Sequence, residues 1–93
     1  EVGAWTERDE QRWSYIARHL AAMCRAMNQK APIIGFLYWS LMDNFEWSHG
    51  YAPRFGLIEV DYASQRRTVR ESARRYAEIC RANRVSLERA SAV

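Results

Sequence analysis

The sequence predicts an α/β chain, a piece of an alternating helix–strand architecture built on a parallel sheet. Three observations carry that expectation. Ile33-Ile34-Gly35-Phe36-Leu37-Tyr38 is β-branched, aromatic and uncharged, the composition of a strand covered on both faces. Amphipathic helical stretches precede and follow it, in the order helix, buried strand, long loop, short strand, helix. The 93 residues nevertheless supply only one clear strand of this kind, too few to close a sheet on itself.

The first helix is expected over residues 7–29. Trp13, Ile16, Ala17, Leu20, Met23, Cys24 and Met27 recur there at helical spacing, with Arg12, Arg18, His19 and Arg25 between them. The Thr6 hydroxyl can cap its free amides and Asp9 suits its positive end. Pro32 ends it by pushing Ala31 out of helical geometry. The strand at 33–38 follows, then a loop over 40–54. Residues 55–62 alternate in character and read as a shorter extended segment. Arg66-Arg67-Thr68 leads into a second helix over about 69–83, with Thr68 and Glu71 in a capping-box pattern. Val69, Ala73, Tyr76, Ala77 and Cys80 make its inward stripe. The chain divides into a folded portion, 1–84, and a polar tail, 85–93, where Ser86, Ala90, Ser91 and Ala92 predict fraying.

Composition narrows the function classes. The formal net charge is +3 and arginines crowd the second half. Glu71, Glu78 and Glu88 interleave with them as on a solvated helix face, so no nucleic-acid partner is expected. Cys24 and Cys80 lie far apart, without metal-ligand spacing, and read as buried free thiols, with a disulfide between them as the alternative; no metal and no cofactor is expected. No apolar run reaches membrane length and no signal peptide is visible, which predicts a soluble, cytoplasmic protein without a membrane partner. The first residue is not Met, which predicts a fragment, and a signal peptide would be lost with the missing part.

Trp39-Ser40-Leu41-Met42-Asp43-Asn44-Phe45-Glu46-Trp47 carries the chemistry. Two indoles and a carboxylate crowd the loop at the mouth of a buried strand. Flat aromatic faces stack on the C–H faces of sugar rings, and a carboxylate accepts paired hydrogen bonds from neighbouring hydroxyls. Loops at strand ends are also where binding residues concentrate. Core packing of Trp39 and ordinary solvation of Asp43 and Glu46 are the bland alternatives.

This run, starting at Tyr38, resembles the last-strand motif of family 1 glycoside hydrolases, the β-glucosidase and β-galactosidase family. Gly50-Tyr51, Arg54-Phe55-Gly56-Leu57, Val60-Asp61-Tyr62, Arg67-Thr68 and Ser72-Ala73 continue the resemblance in register. It implies the last quarter of a (β/α)8 TIM barrel (helix 7, strand 8, helix 8), incomplete on its own. It implies Trp39 as the floor under the non-reducing sugar and Glu46 as the acid bridging two of its hydroxyls. Trp47 would donate to a ring hydroxyl and Phe55 would close the pocket. An acid at Glu46, with no Lys between it and Phe55, implies unphosphorylated β-glycosides or oligosaccharides as substrates, because a carboxylate there repels phosphate.

The resemblance further implies retaining hydrolysis by two glutamates about 5 Å apart. Glu1-Val2-Gly3 matches the Glu-Asn-Gly part of the nucleophile motif, so Glu1 is the candidate nucleophile; Val2 departs from the usual Asn, and an ordinary acid near a chain end is the alternative. The acid/base glutamate of the family's Asn-Glu-Pro motif has no counterpart here. The parent protein is therefore expected to be a β-glucosidase-like hydrolase, and the isolated chain inactive, needing the remainder of the barrel in cis or in trans. A non-catalytic sugar-binding remnant, or a split-barrel half awaiting a partner chain, is the alternative.

Overall fold

The computed structural model describes residues 1–85. In chain order these form β1 (Val2–Gly3), α1 (Asp9–Asn28), β2 (Tyr38–Trp39), a 3-10 turn (Trp47–His49), β3 (Ile58–Asp61), β4 (Arg66–Val69) and α2 (Glu71–Ala82). Of the expected tail only Val85 is described, and it packs against the core; residues 86–93 lie outside the described part.

Helix α1 forms where the helical spacing of apolar residues is longest, and that spacing decides what it buries. Trp13, Ile16, Ala17, Leu20 and Ala21 make one continuous buried stripe. Phe36, Tyr38 and Leu57 meet it from the sheet side, and Tyr76 and Ile79 from α2. Burying each of the large apolar side chains contributes about 1.5–3 kcal/mol. Met27 falls outside the stripe, exposed in the last turn. Thr6 sits too early to cap the helix, because the cap position is Arg8. Its hydroxyl instead accepts the Arg8 amide at 3.0 Å and donates to Gln11 Oε1 at 2.7 Å.

The two-sided strand expected at 33–38 is corrected. Only Tyr38 and Trp39 pair, in parallel with Val2 and Gly3, and the Val2 amide donates to Leu37 O at 3.0 Å. Two residues of neighbouring strand cannot order six, and α1 covers one face alone. Phe36 and Tyr38 are half-buried on that face, whereas Ile34 and Leu37 are exposed.

The second half also departs from expectation. Residues 55–62 begin an antiparallel hairpin, Ile58 pairing with Val69 and Asp61 with Arg66. Thr68 therefore belongs to β4, opposite Glu59, and the capping box with Glu71 does not form. Helix α2 is capped from outside. Asp9 Oδ2 accepts the Ser72 amide at 2.8 Å, and Oδ1 accepts the Ser72 hydroxyl at 2.7 Å and Arg12 Nη1 at 2.9 Å. The start of α1 thus satisfies the start of α2. Ser72, Tyr76 and Ile79 face inward, which shifts the stripe and leaves Val69 and Cys80 exposed. Both cysteines are free thiols, Cys24 half-buried rather than buried. Removing the external cap by Asp9→Ala is expected to cost about 1–3 kcal/mol, seen as a lower urea midpoint, because a buried amide and hydroxyl lose their acceptor.

Candidate functional site

The strand mouth is shaped by backbone pairing between two loop segments. Ser40 N donates to Phe55 O at 3.3 Å, Leu57 N to Ser40 O at 2.9 Å, Ile58 N to Leu41 O at 2.9 Å, and Asp43 N to Ile58 O at 3.1 Å. So close an approach explains Gly56: a Cβ there would run into the backbone of Met42, Asp43 and Ile58. The Trp39–Ser40 peptide is cis.

Asp43 locks the arrangement. Its carboxylate is fully buried, contrary to the solvated loop acid that its position suggests. Oδ1 accepts the Gly56 amide at 2.9 Å and Arg70 Nη1 at 3.1 Å. Oδ2 accepts Arg54 Nη1 at 3.2 Å, Arg70 Nη2 at 3.1 Å and the Val60 amide at 3.3 Å. Burial alone would raise the Asp43 pKa, but the Arg70 hydrogen bond and the amides outweigh it and hold the carboxyl below its ordinary value. A second buried centre lies beneath. Arg12, fully buried, donates to Asp9 and to the carbonyls of Thr6 (2.5 Å) and Arg54 (2.7 Å). Sequence reasoning missed both centres.

On this base stands the pair the sequence singled out. Trp39 closes β2 and its indole Nε1–H donates to both oxygens of Glu46, at 3.2 and 3.3 Å. The indole remains 40 % exposed, so its face is open beside the carboxylate. Glu46 is set by a tight loop, its amide donating to Gly50 O at 2.7 Å and its carbonyl accepting from His49 N at 3.0 Å. Trp47 follows with a left-handed backbone (φ 52°) and is 82 % exposed. A bulky residue held there costs of order 1–3 kcal/mol, strain that clusters at functional sites. Phe55 is half-buried near Gly3, and its carbonyl accepts from Tyr38 Oη–H at 3.0 Å. Glu1 is exposed one residue before β1.

The structure therefore joins Trp39 to Glu46 directly. Among the described residues no hydrogen bond ties Trp47, the Phe55 ring or Glu1 to that pair. An open aromatic plate beside an acceptor pair can stack on a sugar ring while receiving its hydroxyls. No cluster of His, Cys, Asp and Glu suited to a metal ion occurs among the described residues, and no helix there is long and apolar enough to cross a membrane.

A sequence profile of glycosyl hydrolase family 1 matches residues 2–85. The chain belongs to that family. It is 43% identical over 88 residues to the β-galactosidase of Sulfolobus acidocaldarius, a match covering 95% of this chain and 18% of that protein. To β-glucosidase A of Thermotoga maritima it is 39% identical over 75 residues, 81% of this chain and 17% of that protein. Its fold superposes on a β-glycosidase from Pyrococcus horikoshii with a TM-score of 0.88 at 43% identity, covering 90% of this chain and 20% of the other. The chain thus spans about a fifth of the length of its family 1 relatives, and its α/β fold is that of part of a family 1 glycosidase.

Proposed function

We propose that this chain supplies the glycone-binding wall of a retaining β-glycosidase that hydrolyses O-glycosidic bonds of unphosphorylated β-glycosides. The Trp39–Glu46 pair at the C-terminal end of a parallel strand carries the reading, since barrel enzymes place their sites at that end. In this proposal the chain is the last quarter of a (β/α)8 barrel, comprising helix 7, strand 8 and helix 8. Trp39 is the sugar floor, Glu46 accepts two hydroxyls, Trp47 donates to a third and Phe55 closes the edge. Glu1 is the nucleophile. Its support is the register: Val2 pairs with Tyr38 and Gly3 with Trp39, so two-residue alternation puts Glu1 on the same sheet face as Trp39. In this proposal the setting is cytoplasmic, which the two free thiols fit.

The acid/base glutamate is not in this chain, so a glycosidase needs further β/α units in cis or in trans. The exposed Ile34 and Leu37 favour such completion, because they leave apolar side chains uncovered on the segment leading into β2. Purified alone, the chain is expected to leave a nitrophenyl β-glucoside intact; mixed with the missing barrel units it is expected to restore hydrolysis. Cleavage by the chain alone, abolished by Glu46→Ala, sinks the division of labour. Sugar binding without restored hydrolysis would favour a non-catalytic sugar-binding remnant instead.

A further inference from the structure

The Trp39–Glu46 pair exists only if the loop over residues 40–54 holds Glu46 in one place. At the base of that loop, Asp43 Oδ2 accepts Arg54 Nη1 at 3.2 Å, and Arg54 also donates to Val60 O at 2.7 Å. At its tip, the Glu46 amide donates to Gly50 O at 2.7 Å, so the placement of Glu46 follows that of Gly50 and of Tyr51 beside it. What ties the tip back to the base is aromatic.

Tyr51 packs edge-on between Phe45 and Tyr62, with ring centroids 5.4 and 4.7 Å apart, a geometry that aromatic pairs prefer. Phe45 is the chain neighbour of Glu46, and Tyr62 directly follows β3, whose Val60 is buried. The Arg54 guanidinium lies 4.5 Å over the Tyr62 ring, which joins the stack to the Asp43 base. The Tyr62 hydroxyl is buried without a hydrogen-bond partner among the described residues, so ring packing places this side chain. Burial pushes its phenol above the ordinary value. The Arg54 guanidinium pulls it back, and the Asp43 and Glu46 carboxylates both add to the rise, so the ring stands within reach of each acid. Phe45 and Tyr51 are about half exposed and outside the buried core, so their contacts serve the loop rather than the fold as a whole.

We propose that Tyr51 is a positioning residue for Glu46. Held between Phe45 and Tyr62, its ring fixes the loop tip so that the Glu46 carboxylate meets the Trp39 indole. The consequence for hydrolysis rests on the reading of Glu46 as an acceptor of sugar hydroxyls; the placement against Trp39 does not.

The four indole N–H groups supply a test that needs no sugar. In the 93-residue chain labelled at its indole nitrogens, Trp39→Phe identifies the Trp39 resonance and Glu46→Ala gives its position without the acceptor. Tyr51→Leu keeps an apolar side chain but no ring. It is expected to move the Trp39 resonance at least half of the way to the Glu46→Ala position while that of the buried Trp13 stays. Tyr51→Phe keeps the ring and should leave both in place. With the missing barrel units added, Tyr51→Leu is expected to lower kcat/KM for a nitrophenyl β-glucoside at least about tenfold, one charged hydrogen bond's worth. In the Glu46→Ala background it should cost nothing further, since residues that act through one group are not additive. The proposal is overturned by a Trp39 resonance that ignores Tyr51→Leu or Glu46→Ala, by a Trp13 shift as large as that of Trp39, by Tyr51→Phe behaving like Tyr51→Leu, or by full additivity with Glu46→Ala. If Tyr51→Leu moves the resonance but Glu46→Ala leaves hydrolysis intact, the positioning stands and the sugar reading falls.

Discussion

Replacing Asp43 with alanine is expected to cost about 3–5 kcal/mol of folding stability, a large share of the roughly 5–15 kcal/mol of an ordinary domain. The carboxylate receives two guanidinium groups and two backbone amides in a site closed to water. Truncation strips the Gly56 and Val60 amides and Arg70 Nη2 of this acceptor, and leaves Arg54 Nη1 and Arg70 Nη1 only the carbonyls of Val60 and Gly56. The damage is also delocalised. Arg54 lies in the loop, Gly56 holds the close backbone crossing, Val60 is in β3, and Arg70 is the residue just before α2. Asp43→Asn keeps the shape but not the charge, and should fall between wild type and alanine in urea midpoint. A midpoint for Asp43→Ala within 1 kcal/mol of wild type, about the median for an exposed pair, would show that the four contacts are not a unit.

The same centre gives the stability a pH dependence. The folded Asp43 carboxyl titrates below an unfolded one, as does Asp9 at the helix–helix contact. The unfolded chain therefore takes up protons first on acidification. The contribution is complete above the ordinary aspartate value near pH 4 and fades as pH falls through the lower folded values. Asp43→Asn should flatten the acid limb of the stability curve and leave neutral pH as the region of largest loss.

Much of the site was legible because its residues are neighbours in sequence. Trp39 and Glu46 are seven residues apart, and their aromatic and acidic character next to a strand was enough to single them out. Helix α1 was legible for a similar reason, since its periodic apolar stripe is local and long. Asp43 was not. Its partners lie 11, 13, 17 and 27 residues downstream, and nothing around it distinguishes a buried hub from a solvated loop acid. Arg12 misleads in the same way: a charge between apolar helix positions reads as surface until the Arg54 carbonyl, 42 residues away, folds over it. The hairpin was missed because Arg66-Arg67-Thr68 carries no apolar alternation; its pairing comes from β3. The Thr68–Glu71 pattern fits a capping box, but a sheet register fixes Thr68 first and Asp9 reaches Ser72 from another helix. Local patterns lost wherever a distant partner supplied more hydrogen bonds.

Glu46→Ala should have the opposite profile, with folding intact and function lost. No described residue of the core rests on the Glu46 side chain, whose hydrogen-bond partner is the half-exposed Trp39 indole. Its urea midpoint should stay within about 0.5 kcal/mol of wild type, the range for substitutions outside the core. In the proposed complex with the missing barrel units, two sugar hydroxyls lose a charged acceptor, at about 1.5–3 kcal/mol each. That corresponds to a fall in kcat/KM of roughly 10²–10⁴-fold. Glu46→Gln keeps one acceptor oxygen and should lose less. Trp39→Phe keeps a stacking face but not the indole N–H, so its loss should be smaller again and fall mainly on KM. Retention of more than about a tenth of wild-type activity by Glu46→Ala, less than one charged hydrogen bond's worth, would remove Glu46 from the sugar site. It lies three positions after Asp43, yet their chemistry divides cleanly: one carboxylate is saturated by arginines and amides from its own chain, and the other accepts only the Trp39 indole among the described residues.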